Sequence, residues 1–187
     1  MQRGYKAWCE RFSAATRSEL GLPSTASLDA RQLAAHLGIR VWTPEDVPGL
    51  PRETREVLLR NDGTPSCWSA VTLVVGEKTL VILNSSHSPG RQASDLMHEL
   101  AHRIRNHEPE EMSISSEGLM LLKAYDKEQE EEADWLAGVL LLPRDALVYI
   151  RREGMSDEEV IAEYGVSKRM YTYRLSMTGV NRQFRRS

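Results

Sequence analysis

His98-Glu99-Leu100-Ala101-His102 sets two imidazoles four positions apart with a carboxylate between them, and the spacing has chemical meaning only on a helix. Four residues of α-helix advance about 6 Å and return to within about 40° of the starting direction, so both rings leave one face and can grip a single ion. A chain built this way must therefore hold one helix packed on one side and open on the other. The flanking residues agree. Leu80-Val81-Ile82-Leu83 is an apolar run of strand type and Asn84-Ser85-Ser86 is a turn. Ser88-Pro89 then offers an N-cap serine with proline at the first helical position. Ala93, Leu96, Met97, Leu100, Ala101 and Ile104 recur with the helical period. The pattern predicts a helix that runs to about His107, before Pro109. His98 and His102 point away from the apolar stripe, toward whatever covers the other side.

The chemistry this spacing serves is that of Zn²⁺, with His98 and His102 as ligands and Glu99 placed to take a proton from a metal-activated water and pass it to a leaving amine. A catalytic zinc takes three protein ligands and keeps a fourth position open. The metzincin pattern needs Gly at 105 and His at 108, where Arg105 and Glu108 stand, and His107 falls one residue out of register. The other route is a later helix, and Asp126 to Leu142 supplies one, with Ala133, Leu136, Ala137 and Leu140 as its apolar stripe. Glu130 and Asp134 share a face there, so Glu130 can be the third ligand while Asp134 orients a ligand histidine through its second ring nitrogen. Glu131 and Glu132 compete with Glu130. Such an acidic run is by itself most often a solvated helix face.

These residues resemble the ImmA/IrrE metallopeptidases of bacteria, their phages and integrative elements. Leu33 to Val41 is similar to that family's opening helix and strand, and the His-Glu-x-x-His helix follows a strand as it does there. Glu130 to Pro143 is similar to the signature Glu-x-Glu-Ala-Asn-x-Phe-Ala-x-x-Leu-Leu-x-Pro. Asp134 stands where Asn is frequent, and Trp135-Leu136 where a variable residue and Phe are usual. The resemblance spans roughly 28–144. It implies a cytoplasmic zinc endopeptidase that cuts a cognate helix-turn-helix repressor of Cro/CI type, with His98, His102 and Glu130 as ligands and Glu99 as general base and acid. It does not assign the group that stabilises the developing oxyanion. Tyr125, His107 and Tyr164 have suitable chemistry.

The fold expected is α+β: a zincin-like domain with the active-site helix on a small β-sheet, and a helical, helix-turn-helix-like C-terminal extension. Residues 1–27 read as a helical segment, 28–150 as the metallopeptidase domain, and 151–187 as the extension with a basic tail. A helix is expected up to the Gly-Leu-Pro-Ser-Thr break at 21–25, a second over Leu28 to Leu37, and a loop over Thr43 to Pro51. Trp68 to Val75 and Leu80 to Leu83, joined through Gly76 to Thr79, read as a hairpin whose edge can pair with substrate backbone. Glu108 to Lys127 reads as a linker with one short helix, or a lid over the site.

In the C-terminal part Ser156 to Glu159 is a capping box, and Gly165-Val166-Ser167 turns the chain into a second helix reaching Met177. Lys168, Arg169, Arg174, Arg182, Arg185 and Arg186 face no acid in the local sequence and can meet phosphates. This makes a DNA-binding regulator the main alternative function. A zinc-binding interaction module without turnover is the other, and Glu99 argues against it, since a structural site needs no acid–base carboxylate. The formal net charge of −3 does not advertise nucleic acid. The chain shows neither an apolar run of membrane-spanning length nor a signal-peptide pattern, which fits the cytoplasm. Cys9 and Cys67 form no Cys-x-x-Cys pair and are expected as thiols.

Overall fold

The computed structural model describes residues 3–60, 62, 68–107, 112–114, 120–122 and 126–184. The chain runs through helices α1 (Tyr5–Glu19) and α2 (Ala30–His36), strand β1 (Arg40–Trp42), a 3-10 turn (Pro44–Asp46), α3 (Arg52–Leu58), β2 (Ala70–Val75), β3 (Lys78–Leu83) and α4 (Pro89–Ile104). It continues through β4 (Met112–Ile114), β5 (Met120–Leu122), α5 (Lys127–Leu141), α6 (Arg144–Glu153), α7 (Asp157–Tyr164), α8 (Lys168–Thr178) and α9 (Val180–Phe184).

The sheet order is β1-β3-β2. β1 lies parallel to β3, and β2 pairs with β3 in antiparallel register through the Gly76-Glu77 turn, where Gly76 takes φ +58. Alternation decides which side packs. Thr79, Val81 and Leu83 are buried, while Leu80 and Ile82 on the other face are half-buried. α4 packs on β2 and β3 and against α5 and α2, burying Leu96, Met97, Leu100 and Ala101. α5 lies between α4 and α1, and from Leu136 to Leu141 its residues are buried on every side. Each such leucine stabilises the fold by about 1.5–3 kcal/mol. The architecture is mixed α+β, compatible with a zincin-like domain. No helix of the described residues is long and apolar enough to cross a membrane.

Several expectations change. α4 stops at Ile104 because Asn106 turns left-handed, and the Ser88 hydroxyl makes no capping bond at its start. The expected loop at Thr43 to Pro51 contains the 3-10 turn Pro44–Asp46, where the Thr43 amide donates to the Asp46 carboxylate at 2.8 Å. In the stretch Glu108 to Lys127, expected as a linker with one short helix or a lid, the described residues Met112–Ile114 and Met120–Leu122 form an antiparallel pairing of β4 with β5. Residues 108–111, 115–119 and 123–125 of that stretch, and Cys67, lie outside the described residues. Cys9 is a buried free thiol.

The C-terminal helices close on the rest of the chain. Ser156 and Glu159 form the expected capping box on α7, Gly165 is left-handed, and the Ser167 hydroxyl caps α8 by accepting from the Met170 amide. The intervening turn lies on the first turn of α4, where a Cβ on Gly90 would sit 2.9 Å from the Ser167 nitrogen and the Val166 carbonyl carbon. Arg174, expected in a free basic patch, is fully buried. Its Nε donates to the Leu142 carbonyl at 2.9 Å and its Nη2 to Glu10 Oε1 at 3.0 Å. Lys168 also meets an acid, Asp157, at 3.2 Å. Counting charge along a segment cannot see a partner such as Glu10, which is 164 residues away. Arg169 and Arg182 are exposed, and Arg185 and Arg186 lie outside the described residues.

Gly→Ala inside a helix ordinarily gains up to about 1 kcal/mol. At Gly90 the methyl would meet backbone, which cannot swing aside, so Gly90→Ala is expected to destabilise by about 1–3 kcal/mol in urea unfolding.

Candidate metal centre

Two helices meet at the site. α4 presents His98 and His102 one turn apart, and α5 presents Glu130 and Asp134 one turn apart. α5 starts where it does because the Asp126 side chain accepts from the Glu128 and Gln129 amides. Among the described residues, His98, His102 and Glu130 are the group able to hold an ion, with donor atoms all within 4.8 Å of one another. His98 Nε2 is 3.0 Å from His102 Nε2, and each lies 3.2 Å from a Glu130 carboxylate oxygen. Zinc bonded at about 2.0–2.1 Å in a tetrahedron spaces its donors by about 3.3 Å. The donors therefore fit one face of such a tetrahedron. The three side chains keep 24%, 21% and 28% exposure, so the fourth side is reachable.

The outer ring nitrogens are held differently. His98 Nδ1 is 3.0 Å from Asp134 Oδ1, whereas His102 Nδ1 faces His107 Nδ1 at 3.0 Å. Burial opposes a charge on His98, but the Asp134 hydrogen bond and the charges of Asp134, Glu130 and Glu99 outweigh it and raise its pKa. His102 is lowered to about 4 by burial, then by His98 and His107. It is thus neutral near pH 7, the form a metal ligand needs.

Glu99, beside the group, accepts a hydrogen bond from the Thr72 hydroxyl in the middle of β2. Burial raises its pKa, the Thr72 bond and His98 pull it back, and Glu130 and Asp95 push it up again. The three neighbouring glutamates part company. Glu130 faces the histidines, Glu131 is half-exposed beside Lys127 at 3.8 Å, and Glu132 is buried with Arg105 Nη2 at 2.9 Å and His107 Nε2 at 3.5 Å.

Of the oxyanion candidates, Tyr164 donates to the Thr25 carbonyl and is spent there. His107 sits behind His102 as described, and Tyr125 lies outside the described residues. Thr72 was missed by sequence reasoning. Its signal was a hydroxyl in an otherwise apolar strand, but which strand face meets α4 is decided by tertiary packing.

The IrrE N-terminal-like domain family, peptidase M78, matches the chain over residues 60–176. No curated protein matches it.

One equivalent of Zn²⁺ is expected to stabilise the protein, by about 4 kcal/mol when free metal reaches a thousand times its Kd. In thermal melts Glu130→Gln should lose most of this rise, while Glu131→Gln should keep it.

Proposed function

The chain belongs to the IrrE N-terminal-like (M78) family of peptidases, the ImmA/IrrE family, and from that premise we propose that it is a zinc-dependent endopeptidase. The observation that carries the reading is the convergence of His98, His102 and Glu130 beside Glu99 on one face of α4. His98, His102 and Glu130 would hold the ion, which when bound supplies a Lewis acid that polarises the scissile carbonyl and acidifies water. Glu99 takes the proton of the attacking water and delivers it to the departing amine nitrogen. The Thr72 hydroxyl fixes which carboxylate oxygen faces the reaction.

β2 is an edge strand among the described residues, with Val71, Leu73 and Val74 exposed. An extended peptide paired along it runs past Thr72 and hence past Glu99, and its side chains meet apolar strand residues. Following what the family resemblance implies, the substrate is a helix-turn-helix repressor of Cro/CI type, cut in the cytoplasm to release the genes it silences. We read α7 and α8 as a helix-turn-helix-like extension that serves the peptidase. The alternative, DNA binding through these helices, is disfavoured by the packing of their turn on Gly90 and by the burial of Arg174. Glu99 disfavours an inert zinc-binding module.

Incubation with the repressor encoded nearest its gene tests the proposal. Wild-type protein should cut at one site, a chelator should stop the reaction, and Glu99→Gln should slow it by about 10²–10⁴-fold with zinc still bound. A zinc-loaded wild type that leaves every such repressor intact would remove this substrate assignment.

Removing the Thr72 hydroxyl takes away a bond that favours ionised Glu99, so the carboxyl pKa rises further. A base must be ionised to act, and the acid limb of kcat/KM for Thr72→Val is therefore expected at higher pH than for wild type, in a profile measured on a fluorogenic peptide.

A further inference from the structure

The mechanism above makes no use of His107. Its placement follows from one backbone feature, the left-handed Asn106 at φ +51. The Asn106 amide returns to the Arg103 carbonyl at 3.1 Å and the His107 amide to the His102 carbonyl at 3.0 Å. This Schellman closure folds the chain back so that the His107 ring stands edge-on to His102, centroids 5.0 Å apart. Asparagine is the residue besides glycine that most readily takes this left-handed position after a helix. Both His107 and Glu132 are nearly buried, at 8% and 6%. Glu132 is pinned in turn by Arg105, whose Nε and Nη2 donate to one carboxylate oxygen at 3.2 and 2.9 Å. The guanidinium lies 5.1 Å from the ring centres of both Tyr5 and Trp8.

We propose that His107, held by Glu132, is the positioning residue that fixes His102 as a metal ligand. The inference rests on the metal-site reading above. A ligating His102 Nε2 must be a bare lone pair, so the proton sits on Nδ1 and needs an acceptor. His107 Nδ1, 3.0 Å away, is that acceptor. The His107 proton is then on Nε2, which faces Glu132 Oε2 at 3.5 Å. The His102 contact sets the His107 tautomer, and the proton this leaves on Nε2 faces a carboxylate neutralised by Arg105. The two metal histidines are thus held by unequal means. His98 leans directly on Asp134, whose side chain is 68% exposed, and His102 leans on a buried relay that reaches α1.

The test uses the full chain and reads metal binding instead of turnover. Zn²⁺ affinity is measured by competition with a chromophoric chelator, and the visible spectrum is recorded with Co²⁺ in place of zinc. His107→Phe keeps a ring but removes the acceptor, and His107→Gln keeps an acceptor oxygen. His107→Phe is expected to raise the Zn²⁺ Kd about 10–100-fold and alter the Co²⁺ bands, with His107→Gln within about threefold of wild type. Equal affinity in His107→Phe and wild type would overturn the relay. Equal weakening in both variants would also overturn it, showing that packing and not hydrogen-bond acceptance is what matters. A wild type that takes up no metal at all would sink the metal-site reading itself, a result visible before any variant is made.

Discussion

The packing of α5 on α4 is the constraint on which the site depends. One turn of α4 carries His98 and His102, one turn of α5 carries Glu130 and Asp134, and the donors meet at 3.0–3.2 Å. A slip of one helical turn is about 5.4 Å and would take Glu130 and Asp134 away from both histidines. The register is fixed by the apolar layer beneath them, where Leu96, Met97, Leu100 and Ala101 of α4 and Ala133, Leu136, Ala137 and Leu140 of α5 belong to one core, each no more than 2% exposed. A densely packed interior does not slide by small amounts. The apolar layer thus sets a distance that the polar layer above it uses.

Gathering Glu99, Glu130, Glu132 and Asp134 around two imidazoles brings like charges into a partly buried space, which is costly unless each is matched. The matching is local. Asp134 leans on His98 at the rim, Glu132 takes Arg105, and Glu99 takes the Thr72 hydroxyl. Among the described residues Glu130 faces the two histidines, and a divalent cation there would offset the remaining imbalance, favouring ionised Glu99 and unprotonated imidazoles. The opposite shifts of the two histidines reflect the same division. Burial opposes a charge on both, but His98 has the Asp134 hydrogen bond and is raised, whereas His102, buried with imidazoles on both sides, is lowered to about 4.

What the sequence disclosed was what local periodicity carries. His98, Glu99 and His102 share a face by helical arithmetic, as do Glu130 and Asp134, and each pair could be read within a single turn. The capping box at Ser156 and Glu159 was legible for the same reason, although the Ser88 hydroxyl, read the same way, makes no capping bond. Contacts made across the fold were not. Thr72 reaches Glu99 only because β2 runs beside α4, and the pairing of β4 with β5 depends on two short segments with no local signal of their own. His107 was read only as one residue out of the metzincin register and as an oxyanion candidate, because its place beside His102 depends on the left-handed turn at Asn106 inside a stretch read as helix. Arg174 looked free because its partners, Glu10 and Leu142, are remote in sequence or hidden in backbone.

The buried arginines explain why both ends of the chain bear on the centre. α5 has no basic residue in its last turn, so its terminal carbonyls and the negative end of its dipole need outside partners. α1 and α8 supply them. Arg17 Nη2 donates to the Leu140 carbonyl at 2.7 Å, Ser13 to Val139 at 3.2 Å, and Arg174 Nε to Leu142 at 2.9 Å. Burial lowers Arg17 only to about 10, so it stays charged at neutral pH and answers the dipole with a full cation. Gly138 allows this from the other side, since a Cβ there would stand 2.9 Å from the Arg174 Cδ. The helix that brings Glu130 to the histidines is therefore held at its far end by guanidinium groups from the first helix and the eighth. The first and eighth helices thus bear on the site through the far end of α5, the element that carries Glu130.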